Sequence, residues 1–336
     1  MMLSRRLFVL LAGFALTAVP CAAQDPPPAT GAGAIVAQVA AAGTKRALVV
    51  CGHPGDEEHR KTFADTAARI RQGLSATAGI PAENITLYFG VDSETDPKDQ
   101  IAPPTEGPAT RDAVTAAVEA LRGTLQPDDS LWVIVFGHAH LDGRHAWINL
   151  PGPDIHQDDF GKLVKDLPCR EQVFVVTTPA SGYYLKALSR AGRVVITATE
   201  PDIESNETLF AEALADQLNP TAENPLRDED GDGAISLLDL YIATTRGVVQ
   251  KYASESLLAT EHSLLDDNGD GRGSELQRDY LTIEEGGRRR AGSVPPLARR
   301  AGQDGTTAAS LRLPVAVPAP VTPAAKESSD SPKPVN

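Results

Sequence analysis

Asp228, Asp230 and Asp232 stand at alternate positions just before Gly233, in the run Asp-Glu-Asp-Gly-Asp-Gly-Ala-Ile-Ser-Leu-Leu-Asp. Carboxylates at positions 1, 3 and 5 of a twelve-residue loop converge when a glycine at position 6 turns the chain sharply. Such a set of hard oxygens suits calcium, which takes six to eight of them. The carbonyl of Ala234 at position 7, Ser236 at position 9 acting through water and Asp239 at position 12 complete the ligand list, and Ile235 at position 8 anchors the loop to a core. Asp239 stands where glutamate is usual, and its shorter arm makes bidentate ligation harder. A second, less complete loop places Asp266, Asn268, Asp270 and Gly271 at positions 1, 3, 5 and 6, with Gln277 at position 12. Glu275, at position 10, is the carboxylate expected to close a shortened version of it.

A different chemistry is written at two strand ends. Leu131 to Asp142 reads Leu-Trp-Val-Ile-Val-Phe-Gly-His-Ala-His-Leu-Asp, and Val173 to Gly182 reads Val-Phe-Val-Val-Thr-Thr-Pro-Ala-Ser-Gly. These stretches resemble the motifs of caspase-like and legumain-like cysteine peptidases, in which one strand ends in Gly-His-Gly and another in Asp-x-Cys-x-Ser-Gly. Gln126-Pro127-Asp128-Asp129 and the segment Trp147 to Ile155 extend the resemblance, which covers Lys45 to Leu218. It implies a mostly parallel sheet flanked by helices, with His138 as the base of a Cys–His dyad. Aligned on Ser181-Gly182, however, the cysteine position is Pro179 and the aspartate position is Thr177. Proline has neither a nucleophile nor an N–H to offer an oxyanion. The resemblance therefore implies a pseudopeptidase, with a binding or scaffolding role toward a peptide or protein partner. The acidic loops resemble an EF-hand or dockerin-like pair.

Three substitutes for the missing nucleophile follow from the same residues. Cys51 ends the first strand, which in a caspase-like sheet lies beside the third, so a relocated Cys51–His138 dyad is one reading. Ser181 is a second. The third uses a metal: Cys51-Gly52-His53-Pro54-Gly55-Asp56-Glu57 is similar to the His-Pro-Asp-Asp-Glu motif of zinc-dependent sugar deacetylases, with His53 and Asp56 as ligands and His138 and His140 as sources of further nitrogens. Gly55 stands where that motif has its first aspartate.

The elements that must position these groups follow from hydropathy periodicity. Ala47–Cys51, 84–89, Leu131–Phe136, Val173–Val176 and 193–198 read as short β-branched, apolar strands. Between them, Phe63, Ala67, Ile70 and Leu74 recur at helical spacing, as do Val114, Ala117, Val118 and Leu121. Shorter helices are expected over 160–164, 183–189 and 208–217, and a longer one over 237–259. Strands alternating with helices predict an α/β domain with a mostly parallel sheet covered on both faces.

Composition bounds the rest. The chain has 336 residues and a net charge of −14, which excludes nucleic acid as a partner, because phosphate binding needs clustered cations. Ser4-Arg5-Arg6-Leu7-Phe8, the apolar run to Val19 and the small residues Cys21-Ala22-Ala23 read as a signal peptide over 1–23, with export by the twin-arginine route as one option. No other run is long and apolar enough for a transmembrane segment. Cys51 and Cys169 then remain, too few for a disulfide framework. The organisation read from the sequence is a linker over 24–43, an α/β domain over 44–218, a calcium-binding module over 219–285 and a disordered Pro/Ala-rich tail over 286–336.

Overall fold

Ser130–Phe136 is buried at every one of its positions, as a central strand covered on both faces requires. It is β3 of a sheet whose parallel part also contains β1 (Lys45–Cys51), β2 (Ile85–Phe89), β7 (Glu171–Val176) and β8 (Arg193–Thr197). The computed structural model describes residues 43–90, 105–202, 204–276, 281 and 295–318. The signal peptide, most of the linker and Gln277 lie outside them. The described residues belong to one compact unit, Ala42–Asn336.

The sheet order is β10-β9-β8-β7-β3-β1-β2, with β9 (Leu264–Asp266) and β10 (Ser274–Glu275) at one edge, so the chain builds outward from β1 to β2 on one side and through β3, β7 and β8 on the other. Its direction of travel switches between β1 and β3, which are paired in parallel from Lys45–Ser130 to Cys51–Phe136. The crevice at the carboxyl ends of two such strands is where ligands gather in open α/β sheets. A small antiparallel sheet follows β3, made of β4 (Ala139–Leu141), β5 (Ala146–Ile148) and β6 (Ile155–His156).

Two apolar layers sandwich the main sheet. On one face, helices α1 (Glu57–Ala76), α5 (Phe210–Leu218) and α6 (Leu237–Ser254) pack Ile70, Leu74, Leu214 and Ile242 against Val49, Ile134 and Val175. On the other, α2 (Arg111–Thr124), α3 (Gln157–Leu163) and α4 (Gly182–Leu188) cover Leu48, Val133 and Phe174. Each fully buried side chain of this size stabilises the fold by roughly 1.5–3 kcal/mol relative to exposure.

The boundaries after Leu218 differ from those the composition implied. The second acidic segment is not a separate module: β9 (Leu264–Asp266) joins the main sheet antiparallel to β8, and β10 (Ser274–Glu275) pairs with β9. Nor is the whole tail without a core. Residues 295–318 fold back, with a short helix α7 (Thr306–Ser310), and bury Leu297, Ala308 and Leu313 in the same apolar layer as α1 and α6. Leu313 donates its N–H to the Ile235 carbonyl at 2.9 Å, and Leu237 donates to the Leu311 carbonyl at 2.9 Å. The alternation Leu311-Arg312-Leu313 is the local strand-like signal of this docking, and the surrounding Pro, Ala and Ser outweigh it in any compositional reading.

Candidate functional site

Gly52 and Gly137 let the loops after β1 and β3 approach each other. The Gly52 N–H donates to the Phe136 carbonyl at 2.8 Å. Gly137 has φ +116°, and a Cβ there would come within 2.8 Å of the Gly52 nitrogen. This contact sets half-buried His138 over the β1/β3 crevice, with its Nε2 3.0 Å from the Pro54 carbonyl oxygen. Its ring lies 5.1 Å from that of Phe63 and 4.6 Å from that of His59.

His59 was not singled out from the sequence, yet it is the best-connected side chain here. Asp56 caps α1: its Oδ1 accepts from the His59 N–H at 2.9 Å and its Oδ2 lies 2.8 Å from His59 Nδ1. His59 Nε2 lies 3.1 Å from Glu207 Oε2. The hydrogen bond to Asp56 raises the His59 pKa despite partial burial, with help from Glu207. One ligand-type atom from each of His59, His138 and Glu207 lies within 4.8 Å of the others. The signal for His59 was its place three residues after a capping aspartate, which the helix periodicity absorbed. His53, by contrast, accepts at Nδ1 from the Gly55 N–H, 3.0 Å away in its own turn, and is not part of that group. His140 is exposed, hydrogen-bonded to Asn149 Oδ1 at 2.7 Å and stacked on Trp147.

Cys51 comes to the same sheet edge as His138 but not to the surface. It is fully buried between Phe89 and Phe136, its partners in the neighbouring strands. Burial pushes its thiol well above the ordinary value, the opposite of what an activated nucleophile needs. Ser181 is likewise fully buried, and its Oγ accepts from the N–H groups of Ala198 and Thr199 at 3.0 and 3.1 Å. Both substitutes for the nucleophile are thus structural groups. Between β7 and α4, Pro179 is buried and Ala180 takes φ +53°, a left-handed conformation uncommon for alanine. Below this turn, Phe63, Phe136, Gly137, Thr177 and Glu207 help line a cavity of about 20 Å³, room for one water molecule but not for a side chain. A roomier cavity of about 280 Å³ opens at the other end of the strands, beside Glu171, Gln172 and Val194, away from His138.

In the first acidic loop the aspartates are held by backbone N–H groups. Asp228 accepts from the N–H groups of Gly231, Asp232 and Gly233 at 2.7, 3.1 and 2.8 Å, and Asp230 and Asp232 each accept from the N–H two residues on. Oxygens of Asp228, Asp230 and Asp232 lie within 4.8 Å of one another. Burial, with the negative charge of Asp239 next, pushes Asp230 up to about 6. That donor set, oxygen-only and crowded with negative charge, fits a hard divalent cation. Ser236 and buried Asp239 form a capping box at the start of α6: Asp239 accepts from the Ser236 N–H at 2.7 Å and the Ser236 hydroxyl at 2.6 Å, and also from the Glu229 N–H at 2.6 Å. Ala234 follows at the loop's outer edge, and Arg312 from the docked tail grips Asp232 through both guanidinium nitrogens.

The second loop repeats the pattern. Asp266 accepts from Gly269 and Gly271 at 3.0 and 2.9 Å, Asn268 from Asp270 at 2.9 Å and Asp270 from Arg272 at 2.8 Å. Glu275 is exposed in β10 and lines a cavity with Glu261, His262 and Ser263. Asp304, from the tail, packs against this loop. It accepts from the Asp267 N–H at 3.3 Å and from the Ser274 hydroxyl at 2.6 Å.

No family model matches this chain, and no curated protein matches it. Among solved structures, it is similar to caspase-1 from Spodoptera frugiperda, at 12% identity and a TM-score of 0.41, over 67% of this chain and 87% of that one.

Proposed function

We propose that this chain is an exported caspase-like domain that has lost cysteine-peptidase chemistry and serves as a binding or scaffolding protein for a peptide or protein partner, with calcium held in its two acidic loops. The observation that carries the reading is the turn after β7. Buried Pro179 stands at the position that the resemblance gives to the nucleophile, and the hydroxyl of Ser181, two residues on, accepts from the N–H groups of Ala198 and Thr199. The strand order, with its switch between β1 and β3, and the place of Gly137-His138 at the end of β3 support the caspase-like part of the reading. The burial and raised thiol of Cys51 speak against the relocated dyad.

In this reading calcium is bound by Asp228, Asp230, Asp232, the Ala234 carbonyl, Ser236 and Asp239 in the first loop, and by Asp266, Asn268, Asp270 and Asp304 in the second. Calcium then contributes folding free energy by crossing the acid repulsion that the bare loops carry. Calcium titration followed by calorimetry tests this part: two sites on the wild type and one on Asp228→Asn support it, and no binding at millimolar calcium contradicts it. Peptide cleavage, treated at the end of the Discussion, tests the first part.

A further inference from the structure

We infer that His59, His138 and Glu207 form a binding site for a late first-row divalent ion such as zinc, above the β1/β3 crevice. Three separate segments supply the donors: the first turn of α1, the loop after β3 and the segment before α5. An imidazole that binds an ion through one nitrogen carries its proton on the other, and metal-bound histidines nearly always donate that proton to an acceptor. Both histidines have one here. His59 Nδ1 meets Asp56 Oδ2 at 2.8 Å, which leaves the Nε2 lone pair directed at Glu207. His138 Nε2 meets the Pro54 carbonyl at 3.0 Å, which leaves the Nδ1 lone pair. Asp56 is itself fixed as the N-cap of α1, so the carboxylate, the histidine and the helix start form one rigid unit.

The spacing also fits. Donors about 2.1 Å from a tetrahedral ion stand ~3.4 Å apart. His59 Nε2 and Glu207 Oε2 are 3.1 Å apart, and one ligand-type atom of each of the three residues lies within 4.8 Å of the others, so a small side-chain movement brings them to that spacing. Two nitrogens and one carboxylate select zinc-like ions over calcium, which prefers oxygen alone. Glu207 is exposed, so a fourth position remains open to water, as in a catalytic rather than a purely structural zinc site.

A second group, His145, His156 and Asp158, also gathers within 4.8 Å. It lacks the free lone pair. His156 Nδ1 already accepts from the Asp158 N–H at 3.2 Å, and its Nε2 faces Asp159 at 3.4 Å. Its presence supplies an internal control.

The inference is independent of the peptidase question and is tested by binding alone. Metal-stripped, untagged full-length protein is titrated with zinc against a chromophoric chelator, with millimolar calcium present to occupy the acidic loops. Cobalt substitution then reports coordination through its visible absorption. One equivalent of zinc is expected, with a tetrahedral cobalt spectrum. His59→Ala and Glu207→Gln each weaken binding at least tenfold, Asp56→Asn weakens it on the order of tenfold through the orienting hydrogen bond, and His156→Ala and His53→Ala leave it unchanged. Glu207 is exposed at the surface, so Glu207→Gln is expected to fold, and its melting curve checks that. Zinc binding that survives both His59→Ala and Glu207→Gln, or the absence of stoichiometric binding to the wild type, overturns the assignment.

Discussion

Asp304 stands to the second acidic loop as Asp239 stands to the first. Each accepts from the backbone N–H at position 2 of its loop (Asp267 or Glu229) and from the serine hydroxyl at position 9 (Ser274 or Ser236). Asp239 reaches these groups from within its own loop; Asp304 reaches them from a segment 30 residues beyond Ser274. Asp304→Ala leaves a buried N–H and a hydroxyl without their partner and is expected to cost about 1–3 kcal/mol in denaturant unfolding. Asp304→Asn keeps an acceptor for the N–H and is expected to cost less, while still reducing the stabilisation that calcium gives the wild type. An Asp304→Asn protein that gains as much from calcium as the wild type contradicts the equivalence.

Calcium is expected to move the whole protein's melting transition, not a minor one. β9 carries the start of the second loop into the main sheet, and α6, which begins at the end of the first loop, shares its apolar layer with α1 and α5. Scanning calorimetry with calcium and with chelator checks this. A single transition that shifts upward with calcium is expected; a small separate transition that alone responds would mean the loops fold on their own.

Cys51 and Cys169 are both free and buried. Burial pushes the Cys169 thiol up to about 11 and the Cys51 thiol well up. A maleimide reagent followed by mass spectrometry is expected to leave both unlabelled in the folded protein and to label both in denaturant. Rapid labelling of native Cys51 would restore it as a candidate nucleophile.

Glu261 accepts from the N–H groups of Leu209 and Phe210 at 2.8 and 3.0 Å, ahead of α5. Its burial outweighs those two donors and, with Glu204 and Glu212 adding negative charge, pushes it up to about 8 from an ordinary 4.5. The folded state therefore holds this proton more tightly than the unfolded chain does. Stability from this group is complete below about pH 4.5 and is lost as pH rises to about 8. Glu261→Gln cannot ionise. Relative to it, the wild type is expected to lose on the order of several kcal/mol between those limits, at about 1.4 kcal/mol for each pH unit of difference. Parallel pH–stability curves for the two proteins would contradict the assignment.

The alternation of apolar strands and amphipathic helices made the α/β sheet legible, because a strand buried on both faces and a helix buried on one leave different periods in the sequence. Ser130–Phe136 and Val114–Val118 are clear instances. The first acidic loop was legible for a related reason: its geometry is local, set by residues within twelve positions of each other. What the sequence concealed was assembled at long range. Asp304 completes a loop from outside it, Leu313 docks on Ile235 across the fold, and Glu207 meets His59 from 148 residues away. His53 looked like the ligand because it shares a short motif with Asp56. The backbone turns its ring onto Gly55 instead, and the helix that Asp56 caps carries His59 into place.

The central claim is that no cysteine nucleophile serves His138, and it is met most directly by a cleavage assay. Wild-type protein and His138→Ala are incubated, with calcium, with a diverse peptide mixture, and the products are read by mass spectrometry. No cleavage by either protein is expected. Cleavage by the wild type that a thiol-alkylating inhibitor blocks and that His138→Ala lacks would contradict the account.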